Sequence, residues 1–330
     1  MPRITQKDIA RLAGVSQTTV SFVLNARDEQ LVRVPETTRA RVMRVIQETG
    51  YVADPIARRL KQVGTRMIGV YTYETLFPLE REDFFHPFLA GIEEEAQNRD
   101  HDLLLLTSGR VGGHRGDLRS GTTRLRLADS CILLGQYMPS HELEFLNDSS
   151  FPFVSIGRRD DAGGPVPYVG ADYATVIGEL VDRARGLGHE RLAYVGHGEG
   201  VESYTDRMRG FASRAGDGFV HIRPDSTPDE WIAHLRAEGV TAAFAEQEEQ
   251  FRLLLSAAES AGVEVPRDLS VVSLSGDADP TGWATGFELP RREMGRRAVA
   301  VLSDRAGEPL QQLLQCTLSP GGTLAAVATG

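Results

Sequence analysis

The chain has 330 residues, 41% apolar and 25% charged, with two cysteines and a net charge of −10. That length exceeds one ordinary core and implies two or three domains, and the composition excludes a disordered, fibrous or disulfide-stapled chain. No stretch approaches a membrane span and no apolar signal core opens the chain, so the expected compartment is the cytoplasm, with no membrane partner. The charge is unevenly placed. Residues 1–62 hold 11 Lys and Arg against 6 Asp and Glu, a net +5, while the other 268 hold 25 against 40, a net −15. A basic head on an acidic body confines any nucleic-acid contact to the head.

The first 25 residues predict two short helices joined by a glycine turn. Thr5 suits the N-cap of the first and Asp8 its positive end; Ile9, Leu12 and Ala13 form an apolar stripe. Gly14 follows where the chain must turn with positive φ, and Ser16 suits the next cap. Val20, Val23 and Leu24 point the second helix inward, leaving Gln17, Thr18, Ser21, Phe22 and Asn25 outward. Hydroxyls and amides without acids are what a helix in a DNA major groove presents; an ordinary surface hairpin shows Glu and Lys. A third helix follows Pro35, with Val42, Val45 and Ile46 inward and Gly50 ending it. The expected small core is Ile9, Leu12, Val20, Leu24, Val42 and Ile46.

Residues 51–65 read as a connector in which Pro55–Leu60 can form a short helix that does not persist alone. From Met67 onward strands alternate with helices. Met67–Tyr71, Leu103–Leu106, Ser130–Leu134 and Phe153–Ile156 read as buried strands, and the alternation restarts near Ala174–Gly186. Arg191–Val195, Thr241–Ala245 and Leu269–Leu274 follow. The pattern predicts two doubly wound parallel-sheet halves in series with a cleft between them. Val111–Ser120 and Asp160–Gly164 read as loops. Cys131, inside Cys131-Ile132-Leu133-Leu134, is expected buried and reduced, and neither it nor Cys316 has a metal-type spacing.

The helix-turn-helix, the run Val20-Ser21-Phe22-Val23-Leu24-Asn25 and the later Tyr51-Val52-Ala53-Asp54-Pro55-Ile56-Ala57-Arg58-Arg59-Leu60 resemble the LacI/GalR family of bacterial transcriptional regulators. Further landmarks follow in order: Gly91–Ala96, Leu187-Gly188-His189, Arg207-Met208-Arg209-Gly210-Phe211, Val265–Val272 and Pro290–Gly295. The resemblance implies an α/β protein. Residues 1–50 would be a three-helix DNA-binding domain, 51–65 a hinge helix and linker, and 66–330 a periplasmic-binding-protein-like body. Within that body the N-subdomain is expected at about 66–168 and 283–310, and the C-subdomain at about 169–282 and 311–330.

The resemblance also assigns sites. Gln17 and Thr18 match base-reading positions, and Phe22 stands where most relatives carry arginine, offering apolar contact in its place. Thr5, Ser16, Thr19, Ser21 and Asn25 match phosphate-contacting positions. In the hinge, Ala57, Arg58 and Leu60 match the minor-groove contacts, with Leu60 the intercalating leucine. Ala53-Asp54 replaces the usual Pro-Asn. Arg207, and secondarily Arg158, match arginines that grip effector oxygens. Gln247-Glu248 replaces a usual Asn-Asp, Ser275 a usual aspartate, and Glu288-Leu289 a usual Arg-Gln. Tyr73, Asp83, Phe85, His86 and Trp283 could supply stacking surface and acceptors at the cleft rim. The implied partners are double-stranded operator DNA, a second copy of the chain and a small-molecule effector, a sugar or sugar derivative; no cofactor or metal is implied. The implied function is a ligand-responsive repressor. The rival reading is a sugar-phosphate or nucleotide enzyme carrying a DNA-binding head. It has against it the absence of HExxH, GxSxG and Walker A motifs, and Gly196-His197-Gly198-Glu199-Gly200 lacks the GxGxxG register.

Overall fold

The structure is a computed structural model. It describes residues 5–25, 34–49, 65–72, 74, 76, 84–107, 110–111, 114–115, 124–277, 279, 281–304 and 310–327. They fall into two units, Met1–Thr65 and Arg66–Gly330.

The first unit holds α1 (Gln6–Ala13), α2 (Gln17–Asn25) and α3 (Glu36–Thr49). A reciprocal capping box starts α1: the Asp8 amide donates to Thr5 Oγ1 at 3.3 Å, and the Thr5 amide donates to Asp8 Oδ2 at 3.0 Å. Gly14 ends it in the left-handed conformation, φ 63°, with the Val15 amide folding back onto the Ala10 carbonyl at 3.0 Å. The core is Ile9, Ala10, Ala13, Val20 and Val42, flanked by Val15, Val23, Val45 and Ile46. Leu12 does not join it: at 56% exposed it corrects the expected stripe. On α1, Ala10 and Ala13 take the inward positions with Ile9, and that rotation carries Leu12 to the outer face. The side chain of Leu24 and the hinge residues Ala57, Arg58 and Leu60 lie outside the described residues.

The second unit is built on two parallel sheets. The first contains β1 (Met67–Tyr71), β2 (Asp102–Leu106), β5 (Ser130–Leu134), β6 (Phe153–Ile156), β7 (Tyr168–Ala171) and β13 (Gln311–Leu314), in the spatial order β13-β7-β6-β5-β1-β2. The second contains β8 (Leu192–Val195), β9 (Val220–Ile222), β10 (Ala242–Ala245) and β11 (Ser270–Ser273), in the order β11-β10-β8-β9. Their central strands are buried on both faces, which is why they read as unbroken apolar runs. Helices α4 (His86–Asn98), α5 (Ser140–Asp148) and α10 (Arg291–Ser303) serve the first sheet. Helices α6 (Tyr173–Gly186), α7 (Glu202–Ala215), α8 (Pro228–Ala237) and α9 (Glu248–Ser260) serve the second.

The boundary between the halves differs from the expected one. β7 and β13 pair in register, Tyr168 with Gln311 through Ala171 with Leu314, inside the first sheet. Residues 169–171 and 311–314 therefore belong to the first half. Conversely β12 (Gly286–Glu288) pairs antiparallel with β14 (Thr317–Ser319), and Phe287 is buried in the core of the second half. A two-residue ladder, β3 (Arg110–Val111) with β4 (His114–Arg115), overlaps the segment Val111–Ser120 expected as a loop.

α10 returns to the first half by packing on α4, and two glycines let it approach. A Cβ on Gly91 would overlap the Arg292 carbonyl, and one on Gly295 would overlap the Phe88 carbonyl. Gly295→Val is therefore expected to destabilise the body by roughly 1–3 kcal/mol or more through overpacking. Gly186→Ala, in open space at the end of α6, should be neutral or stabilise by up to about 1 kcal/mol. Urea denaturation of both variants checks the pair, and an unshifted midpoint for Gly295→Val would contradict the crossing.

Candidate DNA-reading face and ligand cleft

On α2, Gln17, Thr18 and Phe22 are exposed together; Phe22 is 41% exposed while Val20 is fully buried. No acid stands in the helix. The Ser16 hydroxyl accepts the Thr19 amide at 3.1 Å and lies 2.9 Å from the Thr19 hydroxyl, so both sit at the helix start, where amides point outward toward an anion. Thr5 is exposed, Thr19 and Ser21 are half-buried, and the Asn25 side chain lies outside the described residues.

In the body, a cavity of about 290 Å³ opens where the strands of both sheets end. Its lining follows strand carboxyl ends closely: Glu74 beyond β1, Gly135 and Gln136 beyond β5, Arg158 and Arg159 beyond β6, Gln247 and Glu248 beyond β10, Ser275 beyond β11. Each sheet reverses strand order here, β1 lying between β2 and β5, and β8 between β9 and β10. Crevices at such switch points are where open α/β sheets bind ligands. Phe84, Phe85, Phe88, Leu289 and Met294 make an apolar wall.

The polar wall is tightly cross-linked. Arg207 is 5% exposed; its Nε donates to the Leu274 carbonyl at 2.7 Å, Nη1 to Ser203 at 3.0 Å and Nη2 to Ser275 at 3.2 Å. Its guanidinium lies 4.2 Å from the Tyr173 ring centre. Arg158 donates to Asp206 and Asp160, both at 2.6 Å. Arg159 donates to Glu202 at 2.9 Å, Ser155 at 3.1 Å and the Gly135 and Gln136 carbonyls. Arg291 pairs with Asp277. Three of these ion pairs join the halves: Arg158, Arg159 and Arg291 belong to the first, Asp206, Glu202 and Asp277 to the second. Glu74 accepts the Gln136 and Tyr137 amides, and Gln247 donates to the Tyr204 hydroxyl.

Behind the cleft Glu246 is fully buried, accepting the Tyr194 hydroxyl at 2.7 Å and the His197 and Gly198 amides at 2.8 and 3.0 Å. Burial first, and then the neighbouring Glu246, raise the Tyr194 phenol well above its ordinary range, so it keeps the proton that it donates to Glu246. The glycine-rich loop 196–200 thus has an internal carboxylate on two of its amides. Cys131 is buried, and burial raises its thiol far above the ordinary value; Cys316 is pushed up to about 12 by burial.

Of the expected effector residues, the cavity brings together Arg207, Arg158, Gln247, Glu248, Ser275 and Phe85. Trp283 does not join them. It is 46% exposed and lines a separate groove with Leu255 and Val265, because its turn is tied back by Asp279 accepting the Ala284 amide at 2.6 Å. His86 is exposed outside the lining, and Tyr73 and Asp83 lie outside the described residues. Sequence reasoning missed Glu74, Arg159, Asp206, Phe84 and Phe88. The Arg158-Arg159 and Asp206-Arg207 doublets were the available signal, since each places a charge beside a residue already singled out.

The family model for bacterial regulatory proteins of the lacI family matches residues 5–54, and that for the periplasmic binding protein-like domain matches residues 181–324. The chain thus joins a lacI-family DNA-binding domain to a periplasmic-binding-protein-like domain. It is 28% identical to the HTH-type transcriptional regulator CelR of Thermobifida fusca, over 96% of this chain and 97% of that one. It is 27% identical to the HTH-type transcriptional repressor PurR of Photobacterium profundum, over 91% of each. Among solved structures, a CelR–cellobiose complex superposes with TM-score 0.63 at 26% identity, over 97% of this chain and all of that one. The lac repressor dimer bound to operator and the anti-inducer ONPF superposes with TM-score 0.76 at 19% identity, over 98% and 100%, a likeness of fold. The expected fold class, a helix-turn-helix domain followed by a parallel-sheet α/β body, is the observed one.

Proposed function

We propose that this protein is a transcriptional repressor that binds a two-fold operator as a homodimer and is controlled by a carbohydrate in its cleft. The observation that carries it is the exposed, acid-free face of α2, on a helix set by a capped α1 and a left-handed Gly14. Gln17, Thr18 and Phe22 read bases from that face; Thr5, Ser16, Thr19, Ser21 and Asn25 hold phosphates. Residues 1–50 form the reading domain, 51–65 the hinge, with Ala57, Arg58 and Leu60 at the minor groove, and 66–330 the sensing body. Relatives named as regulators, one solved with cellobiose and one with operator, support this reading. The chain works in the cytoplasm and catalyses no reaction. Among the described residues no helix is long and apolar enough to cross a membrane.

In the cleft, Arg207, Arg158, Gln247, Glu248, Ser275 and Phe85 take part in effector binding. Because three ion pairs bridge the halves there, a ligand that shares or displaces them favours one arrangement of the halves over another, and operator affinity follows that differential. The glycine-rich loop speaks against the nucleotide-enzyme reading, since Glu246 already occupies its His197 and Gly198 amides.

Selection from random double-stranded DNA should return a two-fold symmetric site. Phe22→Arg should move one symmetric pair of positions toward guanine, by about 1–3 kcal/mol per half-site. An unchanged site removes Phe22 from the base edges, and failure to enrich any site overturns the regulator reading.

A further inference from the structure

Four features of the cleft and its surroundings weigh against an anionic ligand. First, two of its three arginines at positions 158, 159 and 207 arrive with their charges met by carboxylates. Arg158, 17% exposed, is held by Asp206 and Asp160, and Arg159, 3% exposed, by Glu202. Arg207 has no carboxylate partner at contact distance but directs one donor from each nitrogen at a backbone carbonyl. Second, the loop 196–200, the place where backbone amides could cradle a phosphate, turns the His197 and Gly198 amides onto the buried Glu246 carboxylate. Third, helix N-termini of the second half carry their own acids. Asp172 caps α6, Glu202 opens α7, and Glu248 and Glu249 open α9, so the partial positive charge that draws an anion is already met. Fourth, the body beyond residue 62 carries a net −15, a field that repels anions before they arrive.

What remains suits an uncharged molecule with hydroxyls on one side and carbon–hydrogen faces on the other. Asp206 Oδ1 is buried with no hydrogen-bond partner, its nearest cation being Arg209 at 3.3 Å, and Glu74, Gln136, Gln247 and Glu248 bring further amide and carboxylate groups to the lining. Phe84, Phe85 and Phe88 provide the apolar wall opposite.

We propose that the cleft binds a neutral polyhydroxylated ligand and discriminates against phosphorylated or carboxylated sugars, with Asp206 as the specificity-determining residue that cancels Arg158. This rests on reading the cleft as the effector site. Replacing Asp206 by the isosteric Asn keeps an oxygen that can accept from Arg158 Nε but removes the charge, leaving the exposed Asp160 to balance Arg158, so an anion gains a net positive group.

Calorimetry on the full-length protein tests it, with glucose, galactose, cellobiose and maltose set against glucose 6-phosphate, galactose 6-phosphate and glucuronate. A neutral sugar is expected to bind at least about tenfold more tightly than its charged counterpart, with an affinity insensitive to added salt. The ratio should narrow about tenfold in Asp206→Asn, and less in Asp160→Asn. A charged sugar that binds the parent as tightly as the neutral one overturns the proposal, and an unaltered ratio in Asp206→Asn overturns the role of that residue. Silence of the whole panel also overturns the neutral-polyol assignment. Operator binding by the same preparation then leaves the regulator reading standing, which separates the two failures.

Discussion

Operator affinity is expected to fall by on the order of 10³-fold or more between roughly 50 and 200 mM salt. Each head carries a net +5 over residues 1–62, and a two-fold operator engages two heads. DNA releases a condensed counterion for nearly every phosphate that a protein neutralises, so the logarithm of affinity falls linearly with that of salt, with a slope near −0.9 per contact. About 6–10 phosphate contacts shared by two heads give losses of about 10³–10⁵ over that range. The side chains placed at phosphates, Ser16, Thr19 and Ser21, are neutral. The steepness must therefore come from arginines such as Arg41 and Arg44, both exposed on α3, and from the hinge arginines. The acidic body adds no favourable charge, so a fragment of residues 66–330 should show no retention on operator. Fluorescence anisotropy across a salt series reads the slope directly, and a slope implying fewer than about two phosphates would contradict groove docking.

How much of this was legible in the chain depended on whether a residue's job was local. The Thr5 cap and the left-handed turn at Gly14 are decided within a few residues, and both stand as the sequence implied. The central strands, buried on both faces, announced themselves as apolar runs, whereas Tyr168–Ala171 and Gln311–Leu314 did not. β13 is an edge strand whose pattern alternates exposed and half-buried, and it joins its sheet only by pairing with a strand about 140 residues earlier. The stripe on α1 failed at Leu12 because alanines at positions 10 and 13 fit the tight three-helix contact and a leucine is not required there. In the cleft, arginines were legible as residue types, but their partners were not. That Asp206 cancels Arg158 depends on two segments 48 residues apart meeting across the cleft. Trp283 was misplaced for the same reason in reverse: an aromatic residue in the turn before a strand looks like a rim contact until the Asp279 turn is seen to hold it in another groove.

Arg207→Ala is expected to cost the body on the order of 3 kcal/mol as well as weakening ligand binding. The sequence offers Arg207 only as a ligand-gripping group, on which view its loss would leave stability untouched. The structure gives it a second task. Its fork ties the start of α7, through the Ser203 carbonyl, to the end of β11, through Leu274 and Ser275, and its face covers Tyr173. Alanine leaves the Leu274 and Ser275 carbonyls without that charged donor, each worth about 1–3 kcal/mol when buried and unmatched, while Ser203 keeps its helical amide; water entering the vacated space offsets part of the loss. For a body of this size the thermal midpoint should drop by about 6–12 °C. Arg207→Lys keeps the charge but cannot reach three carbonyls at once from a single ammonium, so it should recover less than half of the loss. Ligand affinity measured alone is then ambiguous, because a loosened Ser275 wall weakens binding as surely as a lost contact does. The two causes separate under a stabilising solute such as sucrose-free trimethylamine oxide, which favours the compact wall without supplying a guanidinium. If the stabilised Arg207→Ala regains the parent's affinity for the sugar that binds best, Arg207 positions the wall; if affinity stays about ten- to hundredfold down, the fork touches the ligand itself. A thermal midpoint equal to the parent's would deny the tie between α7 and β11 altogether.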